Sequence, residues 1–471
     1  MTATQTVHAA GPLPHPRFRL PILGDLLSVD LARPVQGLIK EARRHDGIFE
    51  QLLGSFPFVM ISGPALIEDV NNEQFWEKCV GPSMRKMRSV AGDGLFTADS
   101  GEANWRKAHD ILTPAFTKEA MTNYHASITK TVGEFINAWN THADNRTWVD
   151  IPADTNRLTI EIISRAGFGH SFSSLTDPID SPFIATMLRE LDYANRRTDT
   201  IPFYEQLFGG PRKAQHYADK KFARAEAADI VAARRANPRT GAAPDMLDIM
   251  LTAPDPVTGE KLSDDNIINQ ILTFLVAGSE TSANAIAFAL HYLSIRPDIA
   301  DKARAEVDQQ WPDRQFPDVK FEDVAKLRYL RRVIDETLRL WPVAPGYFRQ
   351  AKQDTTIGNG QYSFKKNQWV FTLVAAAQRD PSSWGPDADQ FNPDRFISEN
   401  LRKLPPRIYK PFGTGARACI GRQFAQHEML LTLAAVLHQF MLEPRRGYQL
   451  KVSETLTLKP EDLQLRLHKR S

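Results

Sequence analysis

The chain has 471 residues, 42 % of them hydrophobic, with 58 Lys and Arg against 56 Asp and Glu. That apolar content suits a large buried core, and the near-balance of charge excludes the basic excess of a nucleic-acid-binding protein. There are two cysteines, Cys79 and Cys419, and no composition break reads as a linker, so one domain over 1–471 is expected.

In chain order, residues 1–30 read as an irregular N-terminal segment, proline-rich from Pro14. Met1–Asp25 holds no apolar run long enough for a signal or an anchor helix, so no membrane anchor is expected. Helical spacing begins at Pro34–His45, with the proline in the first turn, where its missing N–H is harmless. Phe49–Leu53 and Phe58–Ser62, parted by Gly54 and Pro57, are predicted as short antiparallel strands. In Gly101–Phe116, Trp105 and His109 lie four apart and share a helical face, and each carries an N–H able to donate to a carboxylate. Helical periodicity continues through Thr122–Asn140, Ile151–Phe168, Pro182–Arg197 and Lys213–Ala236, interrupted by polar connections at Thr198–Pro211 and Asn237–Pro244.

Ser263–Ile295 is the longest apolar helix predicted. It opens on a Ser-Asp-Asp cap signal and would run about 45–50 Å at 1.5 Å per residue. Asn269, Gln270, Glu280 and Asn284 argue against a bilayer span. Gly278 weakens this helix by about 1 kcal/mol relative to Ala, and Thr281 is spaced to donate to the Ala277 carbonyl; together they predict a local opening. Leu327–Leu340 is helical, with Glu336 and Arg339 three apart on one face. Thr355–Val374 reads as two strands around Gly358-Asn359-Gly360. Phe412–Gly421 is a Gly-rich loop that delivers one thiol, Cys419, ahead of the helix Phe424–Phe440. Its glycines permit sharp turns and close approach to a flat ligand, and a helix N-terminus favours the thiolate, the metal-binding form. Glu454–Pro460 alternates and then turns, like a strand returning to the core.

The spacing Phe-x-x-Gly-x-Arg-x-Cys-x-Gly at Phe412–Gly421 resembles the haem-ligand loop of the cytochrome P450 family. The resemblance implies a mainly α fold with a small β region, a long central helix over the haem and the Cys-ligand loop beneath it. It makes Cys419 the axial ligand of haem b iron, with Phe412, Gly413, Arg417 and Gly421 binding the cofactor. Trp105 and His109, and by similarity Lys78 and Arg349, would bind the haem propionates. Ala277–Ser282 resembles the family's oxygen-binding groove, which implies that Thr281 and Glu280 deliver protons. Glu336 and Arg339 match a buried pair that locks onto a later arginine, here Arg395 within Phe391–Phe396, in a structural role. With Cys419 on iron, Cys79 has no disulfide partner, which fits a reducing, cytoplasmic location.

Ala91–Thr97, Asn104–Ile111, Leu340–Pro342 and Glu454–Glu461 are similar to the bacterial self-sufficient fatty-acid hydroxylases, whose haem domain is fused to a diflavin reductase. That likeness implies a substrate channel lined by Met84, Met87, Leu95, Phe96, Ala277, Ala344 and Leu456. Those hydroxylases anchor the fatty-acid carboxylate with an Arg and a Tyr, at positions matched here by Phe56 and Met60. No reductase domain is present before the end at Ser471. The implied activity is a haem-thiolate monooxygenase that inserts one atom of dioxygen into a lipophilic substrate, a fatty acid or similar apolar molecule. NADPH and flavins would enter only through a diflavin reductase, or electrons would come from a flavodoxin- or ferredoxin-type donor docking near Arg106, Lys107, Arg407, Lys410 and Arg422. A peroxide-driven peroxygenase typically replaces the acid–threonine pair and a haem sensor needs neither group, so Glu280 and Thr281 favour the monooxygenase.

Overall fold

A computed structural model describes residues 8–9, 13–30, 32–53, 56–175, 182–199, 210–241, 243–313 and 318–470. Most of the predicted connection Thr198–Pro211 lies outside the described residues. The backbone groups into two compact units: Met1–Gly81, Arg332–Cys419 and Lys451–Glu461 form the first, and Pro82–Arg331, Ile420–Leu450 and Asp462–Ser471 the second.

The first unit contains most of the β structure. β1 (His8–Ala9) pairs with β8 (Tyr362–Phe364), which pairs with β7 (Thr355–Ile357), so a strand arises inside the N-terminal segment expected to be irregular. β2 (Ile48–Leu53), β3 (Phe56–Ile61), β4 (Trp76–Lys78), β6 (Tyr347–Ala351) and β9 (Trp369–Thr372) form a five-stranded sheet in the order β2-β3-β9-β6-β4. The predicted strand pair around Gly358-Asn359-Gly360 is present, and the remainder of Thr355–Val374 supplies β9 to this other sheet. β11 (Lys451–Glu454) and β12 (Leu458–Glu461) close a hairpin.

Because strand side chains alternate, the large sheet has two distinct faces. Ile48, Val59, Ile61, Trp76 and Val370 enter a core with Leu66, Ile67 and Val70 of the helix Pro64–Val70. The register puts Phe49, Phe58, Met60, Phe348, Trp369 and Phe371 on the opposite face.

The second half of this unit hangs on one buried ion pair. Glu336 and Arg339, on the helix Arg328–Leu340, are both fully buried and joined by two hydrogen bonds of 2.6 and 2.8 Å. Arg339 also donates to the carbonyls of Gln378, Ala388 and Gln390, and Glu336 accepts from the Asn392 N–H. Arg395 lies 3.5 Å from Glu336 and donates to the carbonyls of Trp384 and Asp387. Burial raises the Glu336 pKa, and the hydrogen bond and charge of Arg339 oppose that rise. Gln378 passes the constraint on, since its amide donates to the carbonyls of Leu338 and Arg339 while its oxygen accepts from the Lys410 N–H, two residues before Phe412.

The second unit is helical. Asp264–Ile295 is one continuous helix, capped by Ser263, whose hydroxyl accepts from the Asn266 N–H. Among the described residues only this helix is long and apolar enough to cross a membrane, and most of it is buried inside the unit. Gly278 does not open it; a Cβ there would come 3.2 Å from Ile163 of the helix Ile151–Phe168, so the glycine permits close helix packing instead. Lys118–Asp144 and Arg422–Gln439 pack beside these two helices, and β5 (Trp148–Asp150), β10 (Phe440–Pro444) and β13 (Gln464–Lys469) form a small sheet. Between the packed helices His125 and His427 are both buried, with His125 Nδ1 2.9 Å from His427 Nε2 and His125 Nε2 2.7 Å from the Val319 carbonyl. The carbonyl requires the proton on His125 Nε2, and His125 Nδ1 faces His427 Nε2. Burial, then repulsion from His125, lowers the His427 pKa to about 4.

Two outcomes follow. Arg339→Leu strands the Glu336 carboxylate and is expected to cost about 3–5 kcal/mol in denaturant unfolding; a loss under about 1 kcal/mol would show that Glu336 is neutral without its partner. For His427 the unfolded ring titrates near 6.5 and the folded one near 4. The unfolded state therefore binds the extra proton, and stability is lost as pH falls through that window. His427→Phe should reduce the slope of unfolding free energy against pH there by about 1.4 kcal/mol per pH unit, read from urea titrations across the window.

Candidate active site

Cys419 sits at the end of a loop whose shape is set by two glycines. Gly413 (φ +70°) and Gly415 (φ +71°) adopt the left-handed conformation, which side chains disfavour. The Gly413 N–H donates to the Lys410 carbonyl, the Cys419 N–H to the Phe412 carbonyl at 2.8 Å, and the Ala418 N–H to the Gly415 carbonyl. A single 3₁₀ turn, Gly415–Arg417, precedes the cysteine, and the thiol is exposed. Gly421 is the N-cap residue of the helix Arg422–Gln439.

Behind this loop the first unit gathers cations. Lys78 of β4 donates from Nζ to the Arg417 carbonyl at 3.0 Å. Its register partner is Arg349 of β6, which is fully buried and donates to the carbonyls of Val70 and Trp76. Burial and then repulsion from Arg417, with a smaller push from Arg349, lower the Lys78 pKa to about 8, and the sulfurs of Cys419 and Cys79 oppose the shift. Burial likewise lowers the pKa of Arg349. A planar dianion ligated by a thiolate would compensate these desolvated cations. Haem, with an iron for the exposed Cys419 sulfur and two propionates for Lys78 and Arg349, fits this donor set.

In the second unit, Thr281 donates to the Ala277 carbonyl at 2.8 Å, and Thr159 donates to the Ser279 carbonyl. Glu280, Thr281 and Ala277 are half-buried. Trp105 is buried, with the His109 ring stacked on it at 5.1 Å, and His109 Nδ1 lies 3.2 Å from Asp110. The neighbouring cations are paired, Lys107 with Glu260 and Arg106 with Asp110, which weakens the expected basic patch.

The substrate candidates divide between the units. In the first, the Leu458 N–H donates to the Val343 carbonyl and so brings the hairpin bearing Leu456 beside the segment bearing the exposed Ala344. Met60, expected at a channel mouth, is buried within the sheet at 6 % exposure, whereas Phe56 is 49 % exposed. In the second unit Met87 is buried, Met84 half-buried and Phe96 38 % exposed. The Leu95 N–H donates to the Gln270 side chain on the long helix. Next to it Asp93 accepts from the side-chain amides of Asn104, Asn266 and Asn269. Burial pushes the Asp93 pKa up, but these three donors outweigh it and hold the carboxyl below the usual range.

One group was not singled out from sequence. Glu428, on the helix Arg422–Gln439, is fully buried, and neither carboxyl oxygen has a hydrogen bond of normal geometry. Burial raises its pKa to about 8, while the adjacent Ser282 on the long helix works against the shift. It therefore holds a proton at neutral pH. The hydroxyl of Thr432, one turn on, is also unpartnered and buried, and such clustered polar atoms mark sites for internal water. The available signal was a glutamate at a core position of an apolar helix.

A sequence model of the family Cytochrome P450 matches residues 14–467. The chain is 39 % identical over 457 residues to the bifunctional cytochrome P450/NADPH–P450 reductase of Bacillus cereus, covering 97 % of this chain and 42 % of that protein. It is 38 % identical over 459 residues to bifunctional cytochrome P450/NADPH–P450 reductase 1 of Bacillus subtilis, covering 98 % and 42 %. The chain thus spans about two-fifths of the length of these relatives. The crystal structure of a cytochrome P450, CYP102L1, shares 68 % identity and a TM-score of 0.92, covering 98 % of this chain and 99 % of that one. With the family match running from residue 14 to residue 467 and the fold shared at that level, the chain belongs to the cytochrome P450 family.

Proposed function

We propose that this chain is the haem-thiolate domain of a monooxygenase that hydroxylates neutral lipophilic molecules. The observation that carries the haem assignment is the exposed Cys419 thiol beside the desolvated cations Lys78 and Arg349. When bound, haem supplies the reductive activation of dioxygen, one atom entering a C–H bond and the other leaving as water. Cys419 would hold the haem iron through its thiolate sulfur, and Lys78 and Arg349 would neutralise the propionates. Thr281 Oγ1, by exchanging its bond to the Ala277 carbonyl for a bond to a bound molecule, holds a proton within reach, and Glu280 resupplies it. The neutral Glu428 carboxyl is a second proton reserve beside Ser282. Electrons come from NADPH through a diflavin reductase; the names of the Bacillus relatives describe an NADPH–P450 reductase in those proteins.

The substrate class rests on the aromatic face of the large sheet. Its register aligns Leu53 with Phe56, Gln51 with Phe58, Phe49 with Met60 and Phe371, Phe371 with Phe348, Trp369 with Gln350, and Gln350 with Glu77. Phe56, Phe58, Trp369, Phe348 and Phe371 form a contact ladder with ring centroids 4.8–5.8 Å apart. Among these described positions there is no lysine or arginine. On the helix Pro82–Ala91, Arg85 and Arg88 are paired with Asp99 and Glu102. A free carboxylate on this face has no counter-charge, and desolvating one unpaired is costly.

The reduced, carbon monoxide-bound protein is expected to absorb at the thiolate-haem position, Cys419→Ser to abolish that band, and Cys79→Ser to leave it. A histidine-type spectrum in folded wild type would remove the haem-thiolate assignment. In spin-shift titrations a fatty-acid methyl ester is expected to bind more tightly than the free acid. Phe56→Arg, at an exposed position that accommodates it, should improve acid binding by about tenfold, the low end for a charge-assisted hydrogen bond at a wet site. Preference for the acid in wild type would refute the neutral-substrate assignment.

A further inference from the structure

Glycine at 415 has a second reason besides its positive φ. A Cβ there would overlap Glu73 Oε1, and the same oxygen accepts from the Ala416 N–H at 3.0 Å. Glu73 belongs to the segment that enters β4, five residues before Lys78, which holds the Arg417 carbonyl. Its own backbone is fixed from behind, since Lys352 Nζ donates to the Glu73 carbonyl and the Lys352 N–H to the Phe75 carbonyl. The 3₁₀ turn Gly415–Arg417 is therefore gripped at both ends by one short segment, an acid on the N–H of Ala416 and a base on the C=O of Arg417. The turn ends two residues before the sulfur ligand, and it has no other regular structure to stiffen it.

We propose that Glu73 is a positioning residue for Cys419: its carboxylate clamps the turn ahead of the cysteine, stabilises thiolate ligation of the haem and lowers the reduction potential of the iron. The argument is geometric and electrostatic. An ionised acceptor makes a stronger bond to a backbone N–H than a neutral one. A fixed anion beside the ligand loop opposes the gain of an electron at the metal. Its charge also acts on Arg349, where, after Tyr347, it opposes the loss of charge that burial imposes.

This rests on the haem-thiolate reading, and the experiment separates the two. Haem-loaded wild type, Glu73→Gln and Glu73→Ala are compared by two readouts. The first is the half-life of the thiolate-type carbon monoxide band on mild warming, and the second is the reduction potential by dye-coupled titration; circular dichroism verifies folding. Glu73→Gln keeps an acceptor oxygen without the charge, so its potential should move positive while the half-life stays close to wild type. Glu73→Ala loses both, and its half-life should fall about three- to tenfold, the factor for one hydrogen bond. If Glu73→Ala matches wild type in both readouts, or if Gln and Ala are equally labile, the clamp is rejected although the haem-thiolate assignment stands. A wild type with no thiolate-type band would instead reject that assignment.

Discussion

Desolvated charge is the constraint on which the first unit depends. Glu336 and Arg339 are stripped of water, and neither is tolerable alone. Their remaining valences are met by backbone carbonyls and an N–H drawn from residues 378–392, so the pair fixes a long stretch with little regular structure. From Arg339 the constraint runs through Gln378 to Lys410 and on to Gly413, the first turn of the cysteine loop. The ion pair is a costly way to stabilise a protein and an effective way to specify one arrangement of loops, because each broken contact leaves a buried polar atom without a partner.

The same economy of charge organises the ligand loop. Lys78 holds the carbonyl of Arg417 in the loop while Arg349, its register partner, points into the interior, and burial works against the charges of both Lys78 and Arg349. Such a cluster has a low free energy only with anions nearby. Glu73 supplies a carboxylate that touches the loop directly, from the exposed side. The second unit solves the opposite problem. There the buried acid Glu428 has no cation and stays protonated, and the buried histidines His427 and His291 stay neutral, each with its pKa lowered to about 4. Groups kept neutral by burial are able to hold or release protons where solvent has no access.

The aromatic face of the five-stranded sheet illustrates how strand register becomes chemistry. None of Phe56, Phe58, Phe348, Trp369 and Phe371 is adjacent in sequence across strands, yet alternation and pairing place them in one ladder. Gly346 and Gly81 leave room for the rings of Phe371 and Phe348, since a Cβ at either would overlap them. Because the cations on the nearest strands, Lys78 and Arg349, are turned to the loop and the interior, the ladder keeps an apolar character along its length.

Local pattern was enough to read the long periodic helices, while Pro64–Val70, Met246–Thr252 and Pro297–Gln310 were not predicted. Ile151–Phe168 has the predicted bounds, and Ser263–Ile295 starts at its predicted cap, because helix periodicity and capping depend on residues within one turn of each other. The cysteine loop was equally legible, since its glycines, arginine and thiol lie within ten residues. Gly278 was misread as a point of opening because the residue that explains it, Ile163, lies 115 positions away on another helix. The strand at His8–Ala9 was missed for the same reason, its partner being β8. Glu428 could be seen as a glutamate but not as a neutral one, since its pKa is set by burial beside the long helix. Glu73 carried no local signal at all. The sequence by itself determined the helical order, the thiol loop and the family. Only the tertiary structure decided which further charges are desolvated and what touches the loop, because those depend on contacts between elements distant in the chain, such as Lys78 with Arg417 and Glu73 with Ala416.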